Sequence, residues 1–129
     1  MKDEGIVQQE VQMEAMKFQC TLMRNNSGAA VDSTGRMVRY GLGNISKKHS
    51  DKIKSSDLIG IKKVLITPDM VGQTIGQFVA LEIKKEAWNP EKKFDKREIA
   101  QQNFIDWVRS LGGIAEFINS VDKVRDVLS

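Results

Sequence analysis

The 129-residue chain has one cysteine, one histidine, one tyrosine and two prolines. With Cys20 alone, neither an intrachain disulfide nor a cysteine zinc cluster can form. His49 stands in the polar run Lys-Lys-His-Ser-Asp-Lys (47–52), the context of a solvated loop residue. Ser-His-Asp and Cys-His catalysis would both have to be built on that one imidazole, and a His-rich metal site is excluded. No apolar run exceeds five residues, far short of the roughly 20 that a membrane helix needs. The first residues, Met-Lys-Asp-Glu, hold no apolar signal core. These absences predict a reducing, cytoplasmic setting without membrane attachment. They leave hard cations held by carboxylates as the only metal chemistry.

What is present is a globular balance of 40% hydrophobic and 29% charged residues. The length suits a single domain over 1–129. Ile6, Val7, Val11, Ala15 and Phe18 recur at helical spacing, predicting a helix over 3–18 with Asp3 as its N-cap. Cys20 to Arg24 reads as a strand ended by Asn-Asn-Ser-Gly (25–28), and Arg36 to Tyr40 as a second extended piece. Residues 41–56, rich in Gly, Asn, Ser and Lys, read as a mobile loop. Gln77 to Lys85 is the clearest strand, its apolar start suiting a central position. Ala100, Phe104, Trp107, Val108 and Leu111 form one helical stripe, closed by Gly112 and Gly113 and placing Trp107 in the core. A short strand over 114–118 follows, then a last helix capped by Ser120. The order predicts an α/β fold, a mixed β-sheet flanked by helices.

The net charge of +3 is unevenly spread. From Arg36 to Lys63, eight basic residues face only Asp51 and Asp57, a balance of +6, whereas residues 1–23 carry −2. Such a segment suits a phosphate backbone, and equally a solvated, lysine-rich loop. Asp57 is the acid that needs a reason inside it.

In Glu82-Ile83-Lys84, side-chain alternation along a strand puts Glu82 and Lys84 on one face and Ile83 on the other. Asp57 and Asp69 compete as the partner acid. If 57–67 and 77–85 form an antiparallel hairpin with its tip near residue 70, Asp57 comes opposite Ile83. Asp69 would then lie at the tip, up to about 40 Å away at roughly 3.3 Å per residue. Pro68-Asp69 is therefore read as turn chemistry and Asp57 as the site acid. Two carboxylates and a lysine suit phosphodiester hydrolysis: Asp57 and Glu82 would bind Mg²⁺ or Mn²⁺, and Lys84 would orient a water or offset developing charge. The same triplet also serves as a strand-end ion pair.

These pieces, in order, resemble the PD-(D/E)xK nuclease superfamily, and within it the virus-type replication-repair nuclease domain in its stand-alone phage form. The matching stretches are an acidic first helix, Arg24-Asn25-Asn26-Ser27-Gly28, Tyr40-Gly41-Leu42, Ser55-Ser56-Asp57-Leu58-Ile59-Gly60, Glu82-Ile83-Lys84, Gln101 with Phe104-Ile105, and Gly112-Gly113. Ser55-Ser56 stands where the family usually has Gly-Ser. The resemblance implies a restriction-endonuclease-like core, with Asp57, Glu82 and Lys84 catalytic and the Ile83 carbonyl a further metal ligand. It implies that Gln101 lines the site. It also implies a glutamate from the first helix: Glu4 by spacing, with Glu10 as the alternative. Arg24 is a candidate phosphate contact, or an ordinary surface arginine. Trp88 suits base stacking, an interface or partial burial. The implied activity is Mg²⁺- or Mn²⁺-dependent cleavage of branched DNA, as a homodimeric Holliday-junction resolvase. A non-catalytic DNA-binding module and a sequence-specific restriction-type nuclease are the competing expectations.

Overall fold

Asp3 starts the first helix. Its carboxylate accepts a hydrogen bond from the Ile6 backbone N–H (2.9 Å), and helix α1 runs Glu4–Met16. All 129 residues are described by the computed structural model. They form a mixed α/β arrangement of three two-stranded sheets and four α-helices. The chain divides into two units, Met1–Lys62 and Lys63–Ser129.

In the first unit α1 lies against strand β1 (Cys20–Arg24), and the Gln12 side-chain amide donates to the Leu22 carbonyl (3.1 Å). Strand β4 (Leu58–Lys62) pairs antiparallel with β1, placing Gly60 opposite Leu22. A Cβ at Gly60 would sit 1.8 Å from the Thr21 carbonyl oxygen, so the pair closes only over glycine. Between them, β2 (Gly28–Val31) and β3 (Met37–Tyr40) form an antiparallel hairpin. Its turn is held by the Asp32 carboxylate, which accepts from the Thr34 hydroxyl and from the Thr34 and Arg36 backbone N–H groups. Helix α2 (Lys47–Lys52) follows, capped by the Ser46 hydroxyl.

The second unit is a strand–helix–strand arrangement. Strand β5 (Val79–Ile83) pairs in parallel with β6 (Ile114–Ile118), and α3 (Lys96–Ser110) connects them. Glu98, Ile105 and Val108 make the buried stripe of α3. Helix α3 packs on β6, whose Ala115, Phe117 and Ile118 are buried as well. Gly112, at φ +89°, ends α3 in the left-handed region that glycine adopts without strain. Ser120 caps α4 (Val121–Leu128), which packs on β6. No helix is long and apolar enough to cross a membrane.

The structure departs from the sequence expectations at five places. In place of one mixed sheet with the 77–85 strand at its centre there are three two-stranded sheets, and β5 has β6 as its one neighbour. The expected 57–67/77–85 hairpin does not form: β4 takes β1 as its partner and β5 takes β6. Ile83 stands in register with Ile118, not with Asp57. Strand β2 starts at the last residue of the expected 25–28 stop and runs into residues for which no element was expected, because Gly28 and two alanines carry little strand signal. The segment expected as a loop holds α2, nucleated by the Ser46 cap. Trp107 is half-buried rather than core and rests on Phe104 (ring centroids 5.6 Å apart). The centre of the stripe is Ile105, at 2% exposure. Ile105→Ala should lower stability by about 2–5 kcal/mol in urea unfolding; a loss under about 1 kcal/mol would show that this side chain is not the centre of the core.

Candidate functional site

Backbone alternation along β5 brings Glu82 and Lys84 to the same side, where Gln101 of α3 meets both. The Lys84 ammonium donates to Gln101 Oε1 (2.7 Å), and Gln101 Nε2 donates to Glu82 Oε1 (2.9 Å). One amide thus presents its acceptor to the cation and its donor to the carboxylate. Flipping it would break both contacts. Glu82 Oε2 accepts no protein hydrogen bond and is free for a ligand. A cavity of about 480 Å³ opens beside Glu82 and Gln101, walled by Leu81, Phe104 and Ile105, with Arg97 also lining it.

Lys84 is held from three directions. Its backbone N–H donates to the Ile118 carbonyl (2.7 Å), extending the β5–β6 ladder past the end of the strand. Its ammonium lies 5.3 Å from the Phe117 ring centroid and 5.9 Å from that of Trp88, within cation–π range. Trp88, Phe94 and Phe117 form one cluster with centroids 5.0 to 5.9 Å apart. The Trp88 indole N–H donates to Glu98 Oε2 (2.7 Å), which fixes the ring. Of the three readings of Trp88, partial burial is what the structure shows.

Glu98 is 3% exposed. Besides Trp88 it accepts from Lys92 (3.0 Å) and from the Asp95 backbone N–H (3.2 Å), and its own N–H donates to Asp95 Oδ1 (2.8 Å). The Trp88 hydrogen bond, then the Lys92 contact, hold its pKa down to about 2. Sequence reasoning missed this residue. The spacing Asp95-x-x-Glu98 before a helix was a readable capping-box signal, but the burial depends on Trp88 arriving from the preceding loop.

In the first unit, Asp57 stands immediately before β4 with its side chain exposed. The Asn25 backbone N–H donates to the Asp57 carbonyl (2.8 Å), and the Asn25 side-chain amide donates to Ser55 Oγ and the Ser56 carbonyl (2.9 Å each). Asn25 therefore shapes the approach to Asp57. Glu4 is an exposed first-turn residue of α1, and Glu10 pairs with Lys2 (2.9 Å). Arg24 is exposed at the end of β1, facing Leu58 in register.

The donor chemistry available for a metal in the second unit is hard oxygen, from Glu82 and from the Ile83 carbonyl; Asp57 offers the same chemistry in the first unit. That suits Mg²⁺ or Mn²⁺ and not a softer ion. No three His, Cys, Asp or Glu side chains cluster as a ready-made metal group. Water and a phosphate oxygen would have to complete the coordination, as Mg²⁺ commonly requires.

Because the folded Glu98 value lies below the ordinary carboxylate value of about 4.3, its ionised form stabilises the fold above that pH. The contribution is lost as pH falls toward about 2. Thermal melts by circular dichroism from pH 5 to pH 2 should show a steeper loss of Tm in the parent than in Glu98→Gln. Equal slopes would remove Glu98 from this role. No protein-family model matches this chain, and no curated protein or solved structure matches it.

Proposed function

We propose that the chain is a metal-dependent, structure-specific DNA endonuclease with a restriction-endonuclease-like core. On this reading it is of the virus-type replication-repair nuclease kind and acts as a homodimeric Holliday-junction resolvase. The observation that carries the reading is the Lys84–Gln101–Glu82 chain of hydrogen bonds at the end of β5. A cation, an amide and a carboxylate with one free oxygen are locked together there on regular secondary structure, beside an open cavity.

Asp57 is the proposed site acid of the first unit, and Glu82 is a proposed ligand of Mg²⁺ or Mn²⁺ at the end of β5, with the Ile83 carbonyl as a further donor. A metal bound there would supply Lewis acidity toward the phosphodiester. Lys84 places a fixed positive charge where the transition state gains negative charge, and needs no reorganisation because the aromatic cluster and Gln101 already hold it. Gln101 is a positioning residue: it sets the distance between the Lys84 ammonium and the Glu82 carboxylate. Arg97, lining the cavity, suits a phosphate of the substrate strand. Glu4 remains the proposed helix acid, with Glu10 already engaged by Lys2. A single chain presents one such site, and symmetric cleavage of a four-way junction needs two, hence the proposed dimer.

The reading is tested with four-way, flap and linear duplex DNA in Mg²⁺, Mn²⁺ or EDTA. The parent should cleave the junction only with metal, and Lys84→Ala and Asp57→Asn should each lower the rate at least about 100-fold while still binding DNA in EDTA. Light scattering after size exclusion should give twice the 14.5 kDa chain mass. Variants that cleave like the parent would refute the site. Salt-dependent junction binding with no cleavage in either metal would make the chain a DNA-binding module instead. Cleavage confined to one linear sequence would make it a restriction-type enzyme.

A further inference from the structure

The β2–β3 hairpin and the chain on either side of α2 enclose a second cavity, of about 250 Å³, within the first unit. Two cations line it, Arg39 and Lys54, and no carboxylate does. Arg39 is half-buried. Its Nη1 donates to Asn44 Oδ1 (3.3 Å), and no acid pairs with it. Asn44 is itself fixed, because its amide nitrogen donates to the Gly28 carbonyl (2.6 Å) and the Tyr40 carbonyl (2.9 Å). The guanidinium is thus braced by a neutral side chain while most of its five N–H donors stay unclaimed. A half-buried arginine without an acid is an unbalanced charge in a place built to hold it.

We propose that this cavity binds a phosphodiester group of a nucleic-acid strand. The guanidinium fork matches two phosphate oxygens, and Lys54 adds a point charge. Gly28 and Gly43 also line the wall. Ser55 also lines the cavity, and Asn25 ties its hydroxyl to the segment leading into Asp57. Asp57 follows Ser55 by two residues, so the cavity lies on the segment that leads into Asp57. Lys47, Lys48 and Lys52 of α2 add positive charge to the same segment. The anion chemistry stands on the cavity alone, and the assignment of a strand as the source rests on the nuclease reading.

The test uses the full chain in EDTA, where metal-dependent cleavage is silent. ¹H–¹⁵N spectra are recorded with inorganic phosphate, with a single strand of about ten nucleotides, and with sodium chloride at matched ionic strength. Phosphate and strand should both shift the Arg39 side-chain N–H and the Gly28, Gly43 and Asn44 amides along saturating curves, and chloride should not. The double variant Arg39→Gln, Lys54→Gln should bind the strand about tenfold more weakly and show a salt slope lower by about one to two. Lys123→Gln, on α4, should change neither.

Shifts no larger than those of chloride, or unchanged strand binding by a folded double variant, overturn the site. Should that variant unfold, the parent titration decides alone. Shifts with phosphate but none with the strand overturn its assignment to nucleic acid. Junction cleavage with a silent cavity sinks this inference by itself, and a responsive cavity without cleavage sinks the nuclease reading by itself.

Discussion

A carboxylate can be nearly withdrawn from water only where its oxygens are taken up by donors. Glu98 meets that condition with an indole N–H, an ammonium and a backbone N–H. Each donor comes from a different piece of chain, so satisfying one side chain fixes three: the ring of Trp88, the loop at Lys92 and the first turn of α3. Gln101 follows one helical turn later on the same helix, and Trp88 is half of the aromatic surface beneath Lys84. The polar chain at the end of β5 therefore inherits its geometry from a buried acid that does not belong to it.

The Lys84 ammonium faces two aromatic rings and an amide oxygen, and the only carboxylate nearby on its network is reached through Gln101. A direct Lys84–Glu82 ion pair would tie the two charges to each other. The interposed amide keeps both ordered and leaves one Glu82 oxygen open. That division suits a site where the cation and the carboxylate are needed for different partners, and a strand-end ion pair gains nothing from it. In the first unit, Asn25 orders the segment before β4 with three hydrogen bonds and leaves the Asp57 side chain exposed.

Signals confined to a few consecutive residues were legible. Asp3, Ser120 and the Gly112-Gly113 stop each mark a helix end within a residue or two of where it lies, because capping is a local hydrogen-bonding event. Alternation along the strand correctly put Glu82 and Lys84 on one side, whereas Gln101, which bonds both, was singled out only by the family resemblance and not by its spacing. Pro68-Asp69 is turn chemistry, with the Asp69 carboxylate bonded to the Thr67 hydroxyl. Strand pairing was not legible. The hairpin expectation took sequence neighbours as partners, whereas β4 reaches back to β1 across the β2–β3 hairpin and β5 reaches β6 across α3. Nor was Glu98 read as a buried group, since a charged residue is exposed unless distant donors converge on it.

The central claim is that the amide of Gln101 holds Lys84 and Glu82 in working order. Single-turnover cleavage of a four-way junction in Mg²⁺, comparing the parent with Gln101→Ala and Gln101→Glu, tests it most directly. The account predicts a rate lower by about 10- to 100-fold for Gln101→Ala with unchanged DNA affinity. It predicts a larger loss for Gln101→Glu, which puts a second carboxylate against Glu82. Parent-like cleavage by both variants would contradict it.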